Sequence, residues 1–252
     1  MVDSTQRFSG RVENYVKYRP PYPEAVLEAL TADCGLTGAS EIADVGSGTG
    51  ILTELFLKHG NPVSAVEPNR EMREAAEHLL RGYPRCRSIE GTAEATTLPA
   101  RSVDFVASGQ AFHWFDRAKA GEEFVRILRP GGWVVLIWNE RLTTSTPFLL
   151  RYEELLLRHA TDYEQVDHRR IDSAALSAFY GAAGFETRLF DNRQTFDHEG
   201  LKGRLLSSSY VPVEGHPRHE AMLAELSELF EAHQSESRVV FEYVTKLYYG
   251  RL

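Results

Sequence analysis

The run Glu41-Ile42-Ala43-Asp44-Val45-Gly46-Ser47-Gly48-Thr49-Gly50 constrains the fold more than any other stretch of this chain. Ile42, Ala43 and Val45 read as a short buried strand with Asp44 near its end, and residues 51–58 follow with helical character. Three glycines in five residues allow positive φ and let a ligand lie against the backbone with no Cβ in the way. The free N–H groups of the following helix, backed by its dipole, face that ligand. Strand, glycine turn and helix form the first half of a nucleotide-binding βαβ unit. A dinucleotide fingerprint places its third glycine one position later than Gly50, where Ile51 stands. The spacing is therefore G-x-G-x-G, which argues against a nicotinamide dinucleotide as the ligand.

The remaining chain repeats the alternation. The helix after the turn buries Ile51, Leu52, Leu55 and Phe56, and closes with Lys58-His59-Gly60, cations and a glycine where a helix C-terminus prefers them. A second strand over 62–66 ends at Glu67, close to where a βαβ fold puts the acid that takes ribose hydroxyls. Asn69 caps a helix whose apolar face is Met72, Ala75, Ala76, Leu79 and Leu80. A weaker strand is expected over 85–90, a fourth over 102–108, a helix over 116–128 and a continuous apolar strand over 133–138. That last pattern belongs at the centre of a parallel sheet covered on both faces. Beyond Asn139 the expectations are helices over 147–159, 174–180, 198–207 and 216–233, an exposed loop over 162–170, and strands over 185–190 and 239–245. The whole reads as a doubly wound α/β sheet spanning residues 1–252 as one domain, with a core over 24–138 and sheet completion plus helical insertions over 139–252.

Upstream, residues 8–18 have the apolar spacing of a short amphipathic helix, stopped by Arg19-Pro20-Pro21-Tyr22-Pro23. A further helix is expected over 24–30. The segment 1–23 is either a packing helix with a linker or a lid, its tyrosines and arginine closing over a ligand.

Composition narrows the partners. At 252 residues and 42% hydrophobic the chain can bury a full core. A net charge of −8 without a dense Lys/Arg run speaks against nucleic acid. The first ten residues lack a signal peptide's apolar centre, and the longest strongly apolar run is too short for a bilayer. Cys34 and Cys86 lack partnering Cys or His spacings and read as reduced thiols; no metal site is expected. A soluble, cytoplasmic protein is the expectation.

Five motifs in order resemble the class I S-adenosylmethionine (SAM)-dependent methyltransferases of the type 11 group: residues 42–50, Ala65-Val66-Glu67-Pro68, Gly91-Thr92-Ala93-Glu94 with Leu98-Pro99, Val103-Asp104-Phe105-Val106, and Leu128-Arg129-Pro130-Gly131-Gly132. Gln110-Ala111-Phe112-His113-Trp114-Phe115 and Tyr18-Arg19-Pro20-Pro21-Tyr22-Pro23 further resemble a subgroup that includes trans-aconitate methyltransferase-like enzymes. The resemblance implies a mostly parallel seven-stranded sheet in the order 3-2-1-4-5-7-6, last strand antiparallel, with helices on both faces. It implies SAM as cofactor, S-adenosylhomocysteine as product, and a small-molecule acceptor methylated on oxygen, in a monomer or homodimer.

By the same resemblance Gly46, Ser47, Gly48, Thr49 and Gly50 pass against the cofactor, and Asp44 holds the turn or the cofactor's amino group. Glu67 takes the ribose hydroxyls, Met72 packs on adenine, Ala93 and Glu94 read the adenine edge, and Gln110 lines the methionine end. Tyr18 and Arg19 would reach the cofactor from the lid. Tyr22, His113, Trp114 and Arg141 would meet the acceptor. His113 is the candidate base for a hydroxyl acceptor, or else a pocket-wall residue; a carboxylate acceptor, already ionised at neutral pH, needs no base. A SAM-binding sensor or partner subunit that has lost catalysis is the alternative left open.

Overall fold

The computed structural model describes residues 16–161, 163 and 173–252. The expected helix over 8–18 and loop over 162–170 therefore lie largely outside the described residues. Elements run α1 (Ala25–Cys34), β1 (Ile42–Val45), α2 (Ile51–His59), β2 (Val63–Val66), α3 (Arg70–Leu80), β3 (Cys86–Ile89), β4 (Val103–Gly109), α4 (Arg117–Ile127), β5 (Leu128–Arg141), α5 (Pro147–His159), α6 (Ser173–Tyr180), β6 (Phe185–Phe196), α7 (His198–Leu206), α8 (His219–His233) and β7 (Val239–Gly250). One 3₁₀ turn, Phe112–Trp114, follows β4, and another, Gly181–Ala183, follows α6.

The seven strands form one sheet in the order β3-β2-β1-β4-β5-β7-β6. The four pairings from β3 to β5 are parallel, and β7 runs antiparallel to both of its neighbours. Strand residues send side chains alternately to two faces, so one strand feeds two cores. Ile42, Phe105, Val135 and Ile137 pack with α1, α2 and α3 on one face. Ala43, Val106, Val134 and Leu136 pack with α4 and α6 on the other. This double burial is why residues 133–138 are apolar without alternation.

Local chemistry sets the element ends. Asn69 caps α3 by accepting from Met72 N–H at 2.9 Å, as expected. Asp116 and Thr146 cap α4 and α5 in the same way. Gly60 at φ 101° ends α2 after Lys58 and His59. The C-terminal strands are longer than the sequence suggests: β6 and β7 form a twelve-residue ladder from Phe185–Gly250 to Phe196–Val239. This antiparallel pair outruns β5, and a third core gathers on its projecting end, where Phe196, Val239, Phe241 and Tyr243 meet α5, α7 and α8.

Candidate functional site

The parallel strands end at one edge, and the turns leaving β1, β2 and β4 meet there. Gly46, at φ +70°, lies so close to the turn after β4 that an added Cβ would sit 2.6 Å from Ala111 Cβ. Gly48, at φ +56°, has nothing within 4 Å of where its Cβ would be. One glycine thus locks two turns together, and the other leaves backbone open to a ligand. Gly48 N–H donates to a Glu67 carboxylate oxygen at 2.9 Å, and Asn69 N–H donates to the other at 2.9 Å. Glu67 is buried, and burial raises its pKa against the lowering effect of those two N–H groups.

Two cavities share the wall formed by Gly46, Gly48, Gly109 and Gln110, and Glu67 lines the outer one. The outer one, about 180 Å³, is walled by Gly46, Gly48, Glu67, Met72, Ala93, Glu94, Gln110, Trp114 and Phe115, among others. Met72 is 3% exposed on the apolar face of α3 and also forms part of the cavity wall. One Glu94 oxygen accepts from Asp116 N–H at 2.8 Å, which holds the carboxylate beside the start of α4. Trp114, expected toward an acceptor, stands in this outer wall.

The inner cavity is smaller, about 40 Å³, and lined by Arg19, Tyr22, Asp44, Ser47, Thr49, Gln110 and Asn139 with their neighbours. Three of its buried polar atoms, Asp44 Oδ1, Thr49 Oγ1 and Gln110 Oε1, have no hydrogen-bond partner among the described residues. Buried polar atoms are rarely left so, and three around one space mark a place for a polar ligand. Asp44 Oδ2 accepts from Thr53 Oγ1 at 2.6 Å. Burial raises the Asp44 carboxyl to about 7; the Thr53 hydrogen bond opposes this and the Glu67 charge adds to it. Gln110 sits at φ +57°, a conformation uncommon outside glycine, tied by its N–H to Ile137 O and by Nε2 to Asn139 O.

The segment from Tyr18 to Tyr22 crosses this inner cavity as a strap. Asn139 Nδ2 donates to the carbonyls of Pro20 and Pro21, each at 3.2 Å, and Asn192 Nδ2 donates to Pro21 O at 2.8 Å. Arg19 Nη2 donates to Ser207 O at 2.9 Å while Arg19 lines the cavity. Tyr22 is buried, its hydroxyl against Gly109.

Several anticipated residues lie elsewhere. Tyr18 wedges its ring over Gly203 and against Phe196, and lines neither cavity. His113 lies in the 3₁₀ turn with its ring centroid 4.6 Å from that of Trp114, and it too lines neither cavity. Arg141 forms a buried ion pair with Glu153, donates to Tyr163 Oη at 3.2 Å and lies 5.0 Å over the Tyr152 ring. Asn139 and Asn192 were not singled out from the sequence. An asparagine at a strand end signals a turn as readily as an anchor, and only the pairing of β5, β7 and β6 brings the two together.

A parallel sheet whose strand order reverses between β1 and β4, with an antiparallel β7 inserted between β5 and β6 and a glycine turn facing an acid past β2, defines a methyltransferase-type α/β fold. Residues 43–136 match a family described as a methyltransferase domain. An uncharacterized methyltransferase of Schizosaccharomyces pombe is 30% identical over 246 residues, 96% of this chain and 95% of the relative. An uncharacterized methyltransferase of Mycobacterium tuberculosis is 38% identical over 139 residues, 55% of this chain and 54% of the relative. A malonyl acyl-carrier protein O-methyltransferase of a Marinomonas species is 29% identical over 133 residues, 52% of this chain and 49% of the relative. A solved candidate type II methyltransferase from Anaeromyxobacter dehalogenans shares the fold with a TM-score of 0.72 at 24% identity, covering 93% of this chain and 98% of its own. The chain belongs to the class I SAM-dependent methyltransferases, type 11 group.

The family implies SAM, and the residues present fit it. The unpartnered atoms of Asp44 and Gln110 accept hydrogen bonds, as an ammonium requires, and Arg19 and the Thr49 hydroxyl can donate to a carboxylate. An amino-acid end suits the inner cavity, and the outer cavity pairs an acid with apolar walls, as a ribose and base require. Among the described residues no group of three His, Cys, Asp or Glu side chains could hold a metal ion. No helix among them is long and apolar enough to cross a membrane.

Proposed function

We propose that this chain methylates an oxygen of a small-molecule acceptor. The observation that carries the cofactor half of the reading is the inner cavity, where three unpartnered buried polar atoms surround the space next to the glycine turn. When bound, SAM supplies an electrophilic methyl carbon on a sulfonium. Asp44 and Gln110 would take its ammonium, Arg19 and Thr49 its carboxylate, and Glu67 its ribose hydroxyls. Met72, Ala93 and Glu94 would hold the adenine. The protein's contribution is to fix donor and acceptor in line and exclude water, worth about 7–11 kcal/mol of barrier where orientation is complete. The strap, pinned by Asn139 and Asn192, would complete that enclosure.

Oxygen is favoured by the O-methyltransferase among the relatives. Within oxygen acceptors, a carboxylate is favoured because His113 lines neither cavity, so no histidine base is at hand in the described walls. The acidic balance, net −8, supports a small molecule over nucleic acid.

Calorimetry tests the cofactor half. SAM and S-adenosylhomocysteine should bind and NADH should not, and Glu67→Ala should weaken SAM by about 1.5–3 kcal/mol, the range for hydrogen bonds to a charged group. Tighter binding of NADH than of SAM would overturn the reading.

A further inference from the structure

Arg204, in the last turn of α7, is 5% exposed, yet it has no carboxylate partner among the described residues. Nε lies 3.3 Å from Tyr243 Oη, and Nη1 lies 3.5 Å from Ser207 Oγ and 3.2 Å from Ser208 Oγ. The Phe241 ring lies 6.0 Å from the guanidinium carbon. Hydroxyls and ring faces attract a cation but do not cancel its charge, and a buried charge is retained at a cost unless something pairs with it. The contrast with Arg141 sharpens the point, because that arginine, buried in the same tyrosine-rich region, has Glu153. Both guanidinium groups act electrostatically on Tyr152 and Tyr210, so among the described residues the region holds two cations and the Glu153 carboxylate. Two donors also stand unused, since neither Arg204 Nη2 nor the Tyr152 hydroxyl has a hydrogen-bond partner among the described residues. Tyr152 itself is 2% exposed.

Hydrogen bonds link the cluster to the wall of the inner cavity. Ser207 presents its hydroxyl to Arg204 and its carbonyl to Arg19, and Arg19 lines that cavity beside Asp44 and Gln110. The neighbouring Gly203 carries the Tyr18 ring of the strap on its bare Cα. A cation in the last turn of a helix can simply answer the helix dipole. Arg204 does not spend its donors that way, since its hydrogen bonds go to side-chain hydroxyls rather than to the last carbonyls.

We propose that Arg204, with the Tyr152 hydroxyl, is the anion-recognition site for the acceptor, and that it binds a carboxylate group. The missing counter-charge is the acceptor's own, and selectivity for acidic small molecules follows from the cost of leaving Arg204 unpaired. The proposal rests on the methyltransferase reading above, and deepens it by naming the residues that would recognise an acidic acceptor, which no motif indicated.

The test uses the full chain saturated with S-adenosylhomocysteine at fixed ionic strength. Succinate, glutarate and benzoate are compared with their neutral amides by thermal shift and calorimetry. The expected result is that carboxylates bind in preference to their amides. Arg204→Met should weaken them about tenfold or more, the lower end for hydrogen bonds to a charged group. Arg204→Met should also be at least as stable as wild type without added anion, since it removes an uncompensated buried charge. A scaffolding arginine would show the opposite sign. Should Arg204→Met not fold, Tyr152→Phe, which deletes only the unused hydroxyl, should still weaken the same carboxylates several-fold. The proposal is overturned if no carboxylate outcompetes its amide on wild type, or if the folded variants bind the acids as wild type does. Unchanged S-adenosylhomocysteine affinity alongside such a failure would spare the methyltransferase reading; loss of S-adenosylhomocysteine binding by wild type would sink that reading instead.

Discussion

At the scale of single residues, Asp44 carries the most unusual electrostatics in the cleft. Its folded-state pKa of about 7 lies above the ordinary value of 3.8, so the protonated carboxyl favours the fold. That contribution is complete below the unfolded pKa and is lost as pH rises through the folded one. Asp44→Asn, which stays neutral, should therefore gain stability relative to wild type between about pH 4 and pH 7, at about 1.4 kcal/mol per unit of pKa difference. Denaturant titration of the ligand-free proteins at pH 5 and pH 8 measures the gain, and an equal difference at both pH values would contradict it. Binding should respond in the opposite sense. A cofactor ammonium against Asp44 Oδ1 stabilises the ionised form, so SAM binding at pH 6 should expel a proton, and Asp44→Asn should bind more weakly without that release. Burial also raises the pKa of Glu67, whose charge acts on Asp44, so Glu67→Gln is the control that assigns the proton. His113 yields a separate prediction. If the acceptor is a carboxylate, His113→Ala should leave kcat within about tenfold, whereas a positioned base would cost about 10²–10⁴-fold. A pH–rate profile of both proteins on one acceptor decides, and a large loss with an acid limb near the histidine pKa would refute the carboxylate.

At the scale of elements, the half of the chain up to β5 was readable because each unit states its own boundaries. Glycine follows β1, an asparagine cap opens α3, and Pro130-Gly131-Gly132 lies just beyond α4. The motifs that gather Gly46, Glu67, Met72, Ala93, Glu94 and Gln110 into one cleft are each local to a strand end, so their spacing was visible in the sequence. The ends of β6 and β7 were not readable, because Asp191-Asn192-Arg193 in an edge strand looks like a turn until β7 pairs with it. Arg204 was obscure for a related reason. Arginine in a helix reads as surface, and only the packing of α7 onto the β6–β7 ladder buries it. The strap shows what such distant pairing does, since Asn139 and Asn192 come from different strands to hold the same proline carbonyls. Asn139→Ala removes the donor facing Pro20 O and Pro21 O and should destabilise the protein by about 1–3 kcal/mol, the range for leaving a buried group unsatisfied. In wild type, amide exchange at residues 17–22 should slow when S-adenosylhomocysteine is added, as expected of a lid. Equal exchange with and without ligand would make the segment a fixed packing element instead.

At the scale of the whole molecule, the question is whether the helical cap over the third core unfolds with the sheet or apart from it. β7 answers it in covalent terms, because Val239, Phe241 and Tyr243 belong to the third core while Leu247 and Tyr249 of the same strand belong to the first. The strand cannot lose one end without exposing buried surface at the other. Two polar ties reinforce it: Arg19 to the Ser207 carbonyl beyond α7, and Thr245 Oγ1 donating to Asn139 Oδ1 at 2.5 Å between β7 and β5. The cofactor cleft borders the first two cores and the strap reaches the third, so ligand binding should be felt by the entire structure. The expected outcome is one calorimetric transition that moves as a unit. S-adenosylhomocysteine at a hundred times its Kd adds about 2.7 kcal/mol. For a chain of this length that corresponds to a rise in Tm of about 5–11 °C. Two transitions, only one of them shifted by ligand, would show that the α5–α7–α8 cap is an independent unit. Arg204 and Tyr152 would then belong to a part of the molecule that does not communicate with the methyl donor. A single shifted transition that moves further when a small carboxylate is added, and not when its amide is, would join the cap, the strap and the cleft in one cooperative site.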